Sequence, residues 1–128
     1  MADVVTLNRN GYFVDDGNES KVIIRDLADI PGGRALNMEG FADDVVRAGH
    51  IIKRTIATDS YAPLGVSGNA YLAAVEGEEL VGVLKVSVTK ERPAAAIMTM
   101  GQVNAAASPY PVTEAIKTAL PQIKFLYA

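Results

Sequence analysis

The sequence predicts a mainly β fold of the α+β kind, with short strands, one C-terminal helix and an extended N-terminal arm. Three observations predict it. Glu79–Asn104 reads as two strands joined by a charged turn. Turn residues punctuate the chain at short intervals, among them Asn10-Gly11, Asp16-Gly17-Asn18, Gly32-Gly33 and Ser67-Gly68-Asn69. One segment alone, Val112–Leu120, carries a clean apolar stripe at helical spacing.

Composition narrows the classes further. A chain of 128 residues has length for one domain with a core. It is 49% hydrophobic and 21% charged, the balance of a folded chain. Tryptophan is absent and the apolar residues are chiefly Ala, Val, Ile and Leu, which points to a core of small and branched side chains. The net charge of −3, with both signs interspersed, argues against a nucleic-acid-binding surface, which needs a basic stripe. Zero cysteines exclude disulfides and thiolate metal sites. The first residues lack the charged-then-apolar pattern of a signal peptide. No apolar run approaches the ~20 residues that span a bilayer as a helix. The expectation is a soluble protein made in a cytoplasm, used there or assembled there into something larger.

Residues 1–40 are expected to form an arm or β-hairpin extension, and residues 41–128 the main β domain. In the arm, Val4, Val5 and Leu7 form an apolar patch, Asn8-Arg9-Asn10-Gly11 is turn chemistry, and Tyr12-Phe13-Val14 is a short strand. Asp15–Asn18 turns the chain, Val22-Ile23-Ile24 reads as a third strand, and Pro31-Gly32-Gly33-Arg34 closes the segment. Strands this short are marginal alone. Such an arm is ordered by a neighbour, or is an edge hairpin of the same domain.

Phe41–Ala48 fits a short helix, with Phe41, Val45 and Ala48 on one face and Gly49 as a left-handed C-cap. His50–Ile56 reads as a strand. Tyr61–Val66 is held extended by Pro63. A strand from Ala70 to Val75 follows the Ser67–Asn69 turn, and Glu76-Gly77-Glu78 turns into the central stretch. There Leu80, Gly82, Leu84, Val86 and Val88 share one face and Lys85, Ser87 and Thr89 the other, the period of a half-buried strand. Lys90–Pro93 makes the turn and Ala94–Met100 the return strand. The small Ala94, Ala95 and Ala96 leave room for another surface. Pro111 suits the first turn of the helix, Pro121 stops it, and Ile123, Phe125 and Tyr127 alternate as a closing strand.

The search for chemistry returns little. His50 is the single histidine, with no GxSxG-type nucleophile motif near it. One histidine and no cysteine argue against a transition-metal site. Asp15-Asp16 and Asp43-Asp44 lack EF-hand spacing. Gly32-Gly33-Arg34 lacks the Lys-Ser/Thr of a phosphate-binding loop. Met98-Thr99-Met100 is similar to the tripeptide of lipoyl and biotinyl carriers, but Thr99 stands where they need lysine. No catalytic residue, cofactor or metal is expected, and the chain is not expected to be an enzyme.

Several phrases in order carry a family likeness: Ala48-Gly49-His50-Ile51-Ile52, Tyr61-Ala62-Pro63-Leu64-Gly65-Val66, Val81-Gly82-Val83-Leu84, then Ala95, Ile97-Met98-Thr99 and Gly101-Gln102-Val103-Asn104. Over roughly residues 45–128 the chain resembles the lambda-type capsid decoration (head-stabilising, or cement) proteins of tailed bacteriophages. It is also similar to small head proteins of phages of gut Bacteroidales. The resemblance implies a β-clip or barrel-like decoration domain that trimerises on the outside of the phage head, at threefold positions, after assembly in the bacterial host cytoplasm. It implies the major capsid protein and sister chains as partners, a head-fibre protein as a further one, and neither nucleic acid nor membrane. On that expectation residues 2–26 meet the capsid, through Val4, Val5, Leu7, Tyr12, Phe13 and Val14. Val83, Leu84, Ala95, Ile97, Met98 and Met100 lie at the trimer interface. The N-terminal region is longer and more strand-like than in the lambda type. Two other readings stand beside this one: a head-fibre base or adaptor, and a non-enzymatic small-molecule or carrier-type binding module.

Overall fold

Three consecutive pairs of apolar residues hold the molecule together: Ile51-Ile52, Val83-Leu84 and Ile97-Met98. Successive side chains of a strand point to opposite faces, so each pair serves two cores at once. Ile51, Val83 and Met98 pack with Val22, Leu64, Val103, Ile116, Leu120 and Ile123 on one side of a sheet. Ile52, Leu84 and Ile97 pack with Leu36, Val46, Val88 and Ala95 on the other. All six central residues are fully buried. The sheet is therefore covered on both faces, and the half-buried reading of the central strand is corrected.

The computed structural model describes residues 19–39, 41 and 43–126. The strands expected around Val4–Leu7 and Tyr12–Val14 lie outside the described residues, as does Tyr127. The described fold is mainly β with a short C-terminal helix. It begins with one helical turn, α1 (Glu19–Val22), and β1 (Ile23–Asp29). Val22 thus ends a helical turn that drops it into the core and does not open the strand.

The main sheet contains β1, β4 (Ile51–Thr55), β5 (Ser60–Pro63), β8 (Glu78–Leu84), β11 (Ile97–Asn104) and β12 (Ile123–Leu126). Its order is β1-β11-β8-β4-β5, and β12 pairs with β11. β1 runs antiparallel to β11, from Ile23↔Val103 to Asp29↔Met98, with three register shifts. β8 and β11 are antiparallel neighbours through Ile97↔Leu84 and Met98↔Val83, as the opening motif predicts. β12 is parallel to β11. A parallel neighbour needs a crossover connection. Here a 3-10 turn (Ala105–Ala107) and the helix α2 (Glu114–Ala119) supply it.

Three small pairs complete the fold: β2 (Arg34–Ala35) with β10 (Ala94–Ala95), β3 (Val45–Val46) with β9 (Val88–Thr89), and β6 (Val66–Ser67) with β7 (Ala70–Tyr71). The third is the hairpin expected around Ser67-Gly68-Asn69. The other two correct the sequence reading. Between β8 and β11 the chain bends at Lys85-Val86, gives β9 to one pair and β10 to another, and only then returns. The helix expected over Phe41–Ala48 is a bend at Asp43-Asp44 followed by β3. Two adjacent β-branched valines with a waiting partner strand favour extended backbone over a single unsupported helical turn. Gly49 does take positive φ (+94°), but it turns the chain into β4. A Cβ there would stand 2.6 Å from Val22 Cγ1, so its missing side chain also makes room for the first buried residue of the described chain.

Two shorter corrections follow. The strand expected over Ala70–Val75 stops at Tyr71. The helix starts at Glu114, capped by Thr113, whose Oγ1 accepts from Ile116 N at 3.3 Å. Pro111 stands ahead of that cap and not in the first turn. No break in packing falls at residue 40: Val22 and Leu36 are core residues, and β1 and β2 pair with strands from beyond residue 90. Among the described residues no helix is long and apolar enough to cross a membrane.

Candidate functional site

Three features of the described surface and interior invite a function: the His50 cluster, the outer edge of β1, and a groove beside α2.

His50 sits between the Gly49 turn and β4, and is 1% exposed. Its Nε2 lies 2.8 Å from the Leu64 carbonyl oxygen. A carbonyl only accepts, so Nε2 carries the ring proton. Phe41, Tyr71 and Tyr110 meet the ring edge to face, with centroids at 5.4, 5.1 and 5.7 Å. Burial pulls the imidazole pKa down to about 4, against smaller upward pulls from the Leu64 bond and Asp43. A small cavity of about 140 Å³ touches Asp43, Arg47 and His50. The arrangement is that of a neutral histidine clamped between aromatic rings, tying β4 to the Leu64 and Tyr110 loops. Tyr71 reaches further into the same cluster. Its hydroxyl accepts from Ile51 N at 3.2 Å, and burial raises its pKa out of the working range.

β1 forms one margin of the main sheet. Ile24 is 44% and Leu27 57% exposed. Asp26 and Asp29 are drawn inward to Lys85, which contacts both carboxylates, Asp29 at 2.8 Å. The hydrogen bond and charge of Lys85 hold the Asp29 carboxyl below its usual pKa, and the two aspartates hold the ammonium above its own. The exposed face of the strand thus mixes Ile24 and Leu27 with Arg25 and the two Lys85-paired aspartates.

The groove runs between α2, residues 72–74 and the start of β8. Its volume is about 680 Å³ and Leu64, Leu72, Leu80, Ala115, Ile116 and Ala119 supply most of its apolar lining. Glu78 and Glu79 stand at it but are engaged. Glu78 pairs with Lys53 at 2.8 Å and accepts from Val75 N at 3.1 Å; Glu79 pairs with Arg54 at 2.6 Å. The Lys53 bond, then the Val75 bond, lower the Glu78 pKa. Among the described residues, no group of three His, Asp or Glu side chains converges to hold a metal ion. Gly32-Gly33-Arg34 is the turn expected of it, with Arg34 Nη1 donating to the Gly33 oxygen at 2.7 Å.

The residues expected at interfaces fare unequally. Val4, Val5, Leu7, Tyr12, Phe13 and Val14 lie outside the described residues. Val83, Leu84, Ile97 and Met98 are fully buried and Ala95 nearly so, all inside one chain's own core; Met100 is half-buried. In the single chain the first five pack into its own core. Sequence reasoning singled out none of Leu27, Leu72 and Val75, whereas Ile24 falls within the residues 2–26 expected to meet the capsid. Ile24 and Leu27 fall at register shifts of β1 against β11, a feature the sequence does not display. Leu72 and Val75 stand in a stretch with no periodicity, and carry no signal either.

No protein family, curated protein or solved structure matches this chain.

Proposed function

We propose that this chain is a structural virion protein, a homotrimeric decoration or cement protein that binds the outside of a phage head at threefold positions and stabilises it. One observation supports this reading most. The sheet ends in β1, whose Ile24 and Leu27 are exposed, and β1 lies directly downstream of an N-terminal segment carrying two apolar runs. An edge strand and an arm together are the apparatus of strand addition to a partner sheet, where main-chain hydrogen bonds supply affinity. Three such arms on one trimer would bind multivalently, so that weak single contacts sum to retention. The order of phrases that resembles phage decoration proteins favours the same role, as does a net charge of −3 with both signs interspersed. In this reading the protein acts on the capsid exterior after assembly in the host cytoplasm. Its partners are the major capsid protein and its own copies.

In this reading the capsid contact is made by residues from the stretch 1–18 together with the exposed Ile24 and Leu27 of β1. Exposed residues such as Ile56 and Val86 offer further surface to a sister chain. The test is binding to undecorated heads of the phage that carries the gene, followed by co-sedimentation and imaging. Full-length protein binds at threefold positions. Deletion of residues 2–18 combined with Ile24→Lys and Leu27→Lys abolishes binding and leaves the trimer mass by light scattering. Bare heads with full-length protein, or a monomer in solution, would overturn the proposal. A monomer would favour the second reading, a non-enzymatic small-molecule or carrier-type binding module, for which the groove of about 680 Å³ is the specific support. A further protein bound to the outer face would favour the head-fibre adaptor.

A further inference from the structure

The groove contains an open sheet edge. β4 pairs with β8 at Glu78, Glu79, Leu80, Gly82 and Val83. On its other edge β8 meets β11 only at Val83 and Leu84, before β11 goes on to pair with β12 over Gly101–Asn104. Among the described residues, no strand lies along the second edge of Glu78–Val81. Glu78, Glu79 and Leu80 line the groove, and across it stand the small Ala115 and Ala119 of α2. A strand edge with no partner strand among the described residues, beside an apolar trough, is a template for a further strand.

The candidate occupant enters the fold close by. Val22, at the end of α1, is packed in the same core as Leu64 and Ile116, which form the groove wall. Eighteen residues precede Glu19, and they carry Val4, Val5 and Leu7, then Asn10-Gly11, then Tyr12-Phe13-Val14. At ~3.3 Å per extended residue this segment reaches ~60 Å, against a radius of gyration of ~14 Å for a domain of this size. Extended backbone over Val4–Leu7 places Val5 and Leu7 on one face. The groove offers an apolar wall to such a face, and the open edge offers hydrogen bonds to such a backbone.

We propose that residues 1–18 of the same chain add a strand to the open edge of β8, with Val5 and Leu7 turned into the groove. The inference is independent of the capsid reading. In a decoration protein it gives the arm a place to dock until a shell competes for it.

Hydrogen exchange followed by mass spectrometry tests the docking on the full chain. The amides of residues 4–8 should exchange at least ~10-fold more slowly than unstructured peptide, as should those of Glu79–Val81 that face away from β4. Deleting residues 2–18 should release the Glu79–Val81 amides while the far-UV circular dichroism keeps its strand signal. Val5→Asp with Leu7→Asp in the full-length chain should release them equally. Unstructured-rate exchange throughout residues 1–18, or protection of Glu79–Val81 that survives both variants, would overturn the proposal. Protection that grows with protein concentration would assign the groove to a second copy's arm and overturn the same-chain assignment. An apolar dye that binds the full chain as tightly as the deletion would show the groove open to small ligands, with the same consequence.

Discussion

At the scale of single residues, His50 has the clearest physical consequence. Its folded pKa of about 4 lies below the ordinary 6.5 because burial penalises the charged ring. The unfolded chain therefore binds the proton more readily. Its contribution to stability is complete above about pH 6.5 and is lost as the pH falls toward 4. Between pH 7.5 and 4.5 the loss should be about 2 to 3 kcal/mol from this group. Urea unfolding of the native chain and of His50→Gln at the two pH values measures it, because the amide keeps a donor for the Leu64 oxygen and does not titrate. Equal pH dependence in both would contradict the assignment of a clamped neutral histidine.

At the scale of elements, the divergence of β8 from β11 depends on one residue without a side chain. A Cβ on Gly82 would stand 2.1 Å from the Met98 carbonyl oxygen, a backbone atom that cannot swing aside. Gly82→Ala should therefore cost about 2 to 4 kcal/mol by forcing the two strands apart, the range of overpacking and lost pairing. Gly77→Ala, in an open turn with φ +89°, meets no neighbouring atom and should cost only about 1 kcal/mol through backbone strain. Thermal or urea unfolding of the two variants compares them, and a milder effect at Gly82 would argue against the close crossing. The same crossing shapes the groove, because past Gly82 β8 has only β4 beside it.

At the scale of the whole molecule, described residues before and after residue 40 share the same packed cores. Val22 belongs to the core, and β1 pairs with most of the length of β11. Removing residues 2–18 should leave a cooperatively folding protein. Removing residues 2–26 deletes a buried valine, worth about 2 kcal/mol or more, together with half of an edge strand, and should leave a chain that is largely unfolded or aggregated. Circular dichroism and thermal melts of the two truncations separate these outcomes. The comparison also decides how the arm can be studied: a 2–26 deletion that fails to bind a shell would report a lost fold, whereas a 2–18 deletion reports the arm.

The local signals in the sequence were sufficient for the mainly β class, the turn at Ser67–Asn69, the pairing of the strands on either side of Lys90–Pro93, and the C-terminal helix. Each depends on a few neighbouring residues: a period of two, a glycine in a turn, a stripe at helical spacing. What neighbours could not encode was decided by tertiary structure. Val45-Val46 became a strand because Val88-Thr89 lies beside it, not because of residues 41–48 themselves. Val83 and Leu84 are buried because each faces a core assembled from distant segments. The groove follows from where two strands part and where α2 crosses back, a relation between segments more than thirty residues apart in the chain. Periodicity records which side of a strand is apolar; only the packed chain determines what covers it.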